Sequence, residues 1–65
     1  METAIFRLWG ISKTLRAEAN LRRELGQEDS ADALECRASQ ASLACNDLLV
    51  MQPAPVQEYI LSRLN

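Results

Sequence analysis

Two cysteines and nine carboxylates are the residues of this 65-residue chain to test first for chemistry, since histidine is absent. Cys36 and Cys45 are nine positions apart. On one straight helix that spacing puts them on opposite sides and about 13 Å apart along the axis. A disulfide needs its Cα atoms within about 7 Å, so the two cannot bridge there. Without histidine, a zinc site lacks its usual nitrogen ligands. The acidic pairs Glu28–Asp29 and Asp32–Glu35 fall where a helix is expected to begin, and the helix dipole accounts for carboxylates there. A calcium loop would need oxygen ligands at alternating positions plus a glycine, and that pattern is missing. There is also no glycine-rich phosphate loop and no histidine to activate a nucleophile. The expectation is a non-enzymatic protein without cofactor or metal.

One constellation does suggest binding. Trp9, Lys13, Arg16, Asn20 and Arg23 recur at steps of four, three, four and three, so they line one flank of a helix. Phe6 lies close to its aromatic end. A basic stripe with an aromatic at one end suits phosphate contacts with base stacking. It suits an in-plane membrane helix as well, or an acidic protein partner. A solvated flank whose tryptophan packs under another helix would leave the same pattern. Trp and Arg favour protein interfaces, and the net charge of −2 argues against a polyanion. Phe6, Trp9, Lys13, Arg16, Asn20 and Arg23 are therefore the expected partner-binding residues of an adaptor or regulator. A nucleic-acid-binding hairpin is the alternative, and peripheral membrane association the third reading.

These residues need helices to position them. Ala, Leu, Arg, Glu and Gln dominate, all good helix formers. The sequence predicts an all-α fold in a single domain over 1–65: a hairpin of two long antiparallel helices, then a short third helix. The first helix spans about 2–25, ended by Gly26 in the left-handed conformation. The second spans about 30–51, with Asp29 or Ser30 as its N-cap. "QPAP" stops it, and Pro55 suits the first turn of a third helix over about 55–64. On the second helix, Ala31, Leu34, Ala38, Ala41, Cys45 and Leu48 form a heptad-like seam expected to face the first helix. Cys36, Leu43 and Val50 recur every seven residues on its back, which suggests a contact across a subunit boundary.

The first helix is less orderly. Met1, Ala4, Leu8, Ile11, Leu15 and Ala19 make one stripe, and continuing it meets Arg22. Phe6 and Trp9 fall on two further sides, so "AIFRLWGI" (residues 4–11) is apolar nearly all round. The third helix, with Val56, Tyr59, Ile60 and Leu64 at helical spacing, is expected to fold over Phe6 or Trp9. A chain this short buries only roughly 60% of its unfolded surface and leans on regular packing or self-association. A homodimeric helical bundle is therefore expected, with the leftover Trp9 or Phe6 side as its interface. No apolar run approaches the ~20 residues of a membrane span, and the first charged residue is Glu2, which does not fit a signal peptide. The expected location is cytoplasmic.

Overall fold

In the computed structural model, which describes residues 2–64, the helix-forming segments become α1 (Glu2–Glu24), α2 (Glu28–Val50) and α3 (Ala54–Leu64). No strand occurs among the described residues. Met1, expected at the head of the first stripe, lies outside them.

Gly26 ends the first helix as anticipated, with φ of 78°. Its N–H bonds to the Arg23 carbonyl at 3.1 Å, and the Gln27 N–H reaches back to the Arg22 carbonyl at 2.8 Å. This pair of bonds is a Schellman motif, which satisfies carbonyls the helix end leaves free. The tight turn lets the chain re-enter helix at once, so α2 begins at Glu28, two residues before the expected start. Neither Asp29 nor Ser30 is its cap. Gln27 holds that position without a side-chain cap bond, and Ser30 instead accepts a hydrogen bond from Arg22 Nη1 at 3.1 Å. Glu28 and Asp29 lie in the first turn, where the helix dipole favours negative charge.

α1 and α2 pack as an antiparallel hairpin. One end is fixed by the Cys45 thiol, which donates to the Ile5 carbonyl at 3.4 Å. The other end is fixed by Arg22 and Arg23 bonding to the start of α2. The seam of α2 is where it was expected: Ala31, Ala38 and Cys45 are buried, and Leu34, Ala41 and Leu48 half-buried. Leu49 is buried as well.

The stripe of α1 needs correction. Its buried line is Ile5, Ser12 and Ala19, whereas Ala4 is exposed and Ile11 remains 49% exposed. Small residues decide this. Ser12 and Ala19 facing Ala31 and Ala38 let two backbones approach, and a line through Ile11 would hold them apart. Arg22, which seemed to interrupt the stripe, joins Arg23 in a polar closure of the hairpin.

The second joint is a short turn. Gln52 N–H bonds to the Leu49 carbonyl, and the Pro53 carbonyl accepts from Val56 and Gln57 at the start of α3. Pro55 sits in that first turn, as expected. α3 then folds across the open end of the hairpin. Ile60 is fully buried with Ile5, Cys45 and Leu49, and Phe6, Leu8, Trp9, Leu48, Val56 and Leu64 pack around them. Tyr59 is not part of this contact: it stays about half exposed, with the Arg63 guanidinium over its ring at 5.3 Å. No described helix is long and apolar enough to cross a membrane.

Candidate functional site

The expected binding flank is continuous on α1, but its six residues have three different fates. Phe6 and Trp9 are half-buried against the core beneath α3. Lys13, Arg16 and Asn20 are exposed. Arg23 is withdrawn into the hairpin closure, where it meets Glu28 at 3.2 Å, Asp32 at 2.9 Å and also Glu35. Its guanidinium is held charged well above its usual range, chiefly by the Glu35 and Glu28 carboxylates. Arg23 in turn holds Glu35 below the usual carboxylate range, with Arg16 adding a smaller pull.

At the other end of the flank, Lys13 Nζ lies 4.4 Å from the centre of the Trp9 ring. They are four positions apart, about one helical turn, so the ammonium sits on the ring's negative face. Lys13 and Arg16 make no ion pair within 4 Å among the described residues.

Beside this flank lies a cleft of about 300 Å³, between the end of α3 and the groove of the hairpin. Trp9, Leu49, Leu61 and Leu64 supply its apolar walls, and Ser12, Ser42, Cys45 and Asn46 its more polar lining. The Cys45 thiol is pushed up in pKa by burial, which makes it a poorer nucleophile. Cys36 is exposed on the opposite side of α2, so the two free thiols do not meet. No group of three potential metal-ligating side chains occurs among the described residues.

Reading the sequence identified Trp9 but missed the rest of the cleft. Ser12 is the clearest omission, because a serine between Ile11 and Lys13 belongs to no apolar stripe of the sequence. The signal that could have found it is the seven-residue recurrence of Ile5, Ser12 and Ala19, parallel to that of Ala31, Ala38 and Cys45. Leu61 and Asn46 carried no such signal, since only the crossing of α3 brings them together.

No protein-family model matches the chain, and neither a curated protein nor a solved structure does.

Proposed function

We propose that this chain is a small, non-enzymatic interaction module of the cytoplasm, an adaptor or regulator that acts as a homodimer. Its α1 flank docks an acidic, amphipathic segment of another protein. One observation carries the reading: the exposed Lys13 and Arg16 stand beside an apolar cleft that shares Trp9 with the flank. A segment with an apolar side chain in the cleft could set carboxylates against both cations. Trp and Arg are the residue types most enriched where interfaces concentrate their energy. Phosphate binding has less to work with on this flank. Arg23 is surrounded by three carboxylates, which leaves Lys13 and Arg16 as its outward cations.

Trp9 is the sole tryptophan, so its emission reports occupancy of the cleft directly. The test titrates the protein with a short acidic amphipathic peptide, the same peptide with lysines for its glutamates, single-stranded RNA, and anionic vesicles. The acidic peptide is expected to shift Trp9 emission, and Lys13→Glu with Arg16→Glu to abolish that shift. Binding of RNA with steep salt dependence, and none of the acidic peptide, would replace this reading with the nucleic-acid one. Binding to vesicles alone would make the flank a membrane contact.

A further inference from the structure

Apart from Phe6 and Trp9, which pack beneath α3, and Leu21 on the back of α1, the large apolar residues of α1 and the seam of α2 are not centred on the line along which the helices touch. Ile5, Ser12 and Ala19 mark that line on α1; Ala31, Ala38 and Cys45 mark it on α2. At about 100° per residue, Leu8, Leu15 and Ile11 lie roughly 40°, 60° and 100° to one side of it. On α2, Leu34, Ala41 and Leu48 lie roughly 40°, 60° and 80° to one side, followed by Ala44. In the antiparallel pair these are the same side of the hairpin, away from the cleft, and Leu8 and Leu48 also pack against the core cluster that Ile60 of α3 joins. The residues there are half-buried, and Ile11 is half exposed.

We propose that a second copy of this chain packs on this face, forming a four-helix bundle about a twofold axis. A lone hairpin is served best by stripes that point straight at each other. In a four-helix bundle each stripe points between two neighbours, toward the common axis. Both stripes here turn the same way, as that arrangement requires.

Shape fits a second copy. The chain is elongated, 44 × 18 × 14 Å, so two copies can lie side by side along their length. The α1 half of the face is bulky, while the α2 half is hollow at Ala41 and Ala44. The Cys45–Ile5 bond fixes the register; from it, Ile11 is about 9 Å and Ala41 about 6 Å along their helices, nearly the same level. A twofold axis parallel to the helices lays α1 of each copy on α2 of the other. Each Ile11 then fills the other copy's alanine hollow, and the contact is self-complementary.

Charge agrees with this arrangement. Glu18 and Arg37 edge the face on α1 and α2 respectively, and their levels differ by about 7 Å. Arg37 is exposed and makes no ion pair among the described residues. The crossed arrangement brings it toward the other copy's Glu18, which within its own chain already bonds Arg22 at 3.1 Å.

This inference deepens the homodimer part of the proposed function and uses a surface separate from the Trp9–Lys13–Arg16 flank. Sedimentation equilibrium over a micromolar concentration series tests it, with circular dichroism confirming that each variant stays helical. The wild type is expected to be a dimer, and Ile11→Lys and Ala41→Glu each to be monomeric. Glu18→Lys should weaken the dimer and Glu18→Lys with Arg37→Glu restore it, which loss of folding cannot mimic. Trp9→Lys should leave the dimer intact. A wild-type monomer at every concentration would overturn the proposal. So would a dimer that survives both Ile11→Lys and Ala41→Glu, or one lost on Leu43→Lys, which would place the interface on the Cys36–Leu43–Val50 stripe. If monomeric Ile11→Lys still binds the acidic peptide, the docking flank stands independently of the dimer; if dimeric Lys13→Glu with Arg16→Glu binds none, the converse holds.

Discussion

Arg23 shows how much one side chain can change what a sequence pattern means. By spacing it closes a basic stripe, yet in the fold three carboxylates surround it and it locks the turn. All four groups are partly in water, so the contribution of these pairs is screened by salt. Arg23→Met is expected to lower the melting temperature at low salt and to lower it less at high salt, as parallel thermal melts would show. Acid should act through the same cluster. Because Glu35 is held below its ordinary value of 4.5, the folded chain releases that proton more readily than the unfolded one. The stabilisation is therefore complete above pH 4.5 and is lost as the pH falls below it through the lowered folded value. Acid titration of Glu35→Gln should lack this component. The two glycines make a second contrast. Gly26 adopts a left-handed φ of 78°, so Gly26→Ala should cost about 1–2 kcal/mol. Gly10 lies within α1, and a methyl group there would meet nothing within 4 Å. Gly10→Ala should stabilise by about 0.5–1 kcal/mol. Denaturant midpoints measured side by side would check both signs.

Among the elements, the hairpin depends on the small residues that let α1 and α2 approach. Ala38 is fully buried on the contact line, whereas Ala41 is half-buried at the edge of the open face. Ala38→Glu forces an unpaired charge between two backbones and is expected to cost several kcal/mol, about 3 or more. Ala41→Glu can turn its carboxylate toward water, so its cost to the single chain is smaller. Urea unfolding of the two variants at dilute concentration distinguishes the sites; equal losses would mean that the contact line runs through Ala41. α3 is the least independent element. An isolated helix of its 11 residues is marginal in water, so it is held by Ile60 against Ile5, Cys45 and Leu49. Ile60→Ala should cost about 2–4 kcal/mol and loosen the cover over Trp9. The emission of Trp9 should then move to the red, as it would for a ring newly in water.

At the scale of the whole molecule, the chain is a narrow rod, 44 Å long and 14 Å through its thinnest dimension. Such a shape has little interior, and among the described residues the fully buried large side chains are Ile5 and Ile60. Full burial of one further large apolar side chain contributes roughly 1.5–3 kcal/mol, which matters against so small a core. Coupling of folding to assembly should therefore show as a melting temperature that rises with protein concentration. Differential scanning calorimetry of the wild type and Ile11→Lys would check this: the dependence should be present in the first and absent in the second.

The helices and their breaks were legible because local effects set them. Leu- and Ala-rich stretches favour helix on their own, Gly26 is free to turn left-handed, and Pro53 and Pro55 disfavour continuation whatever surrounds them. The seam from Ala31 to Leu48 was legible too, since seven-residue recurrence of small apolar residues defines a face before any partner is known. α1 offered no such definition. Its first half is apolar nearly all round, so periodicity could not say which side meets α2, and close approach through Ser12 and Ala19 settled it against Ile11. The start of α2 depended on a backbone turn whose bonds span Arg22 to Gln27. The cleft depended on the angle at which α3 crosses, and the loss of Arg23 from the basic flank depended on carboxylates from another helix arriving around it. Local propensity thus determined what the elements are. Which faces they bury and which charges they leave outward came from packing, where backbone proximity and charge pairing act between residues far apart in the chain.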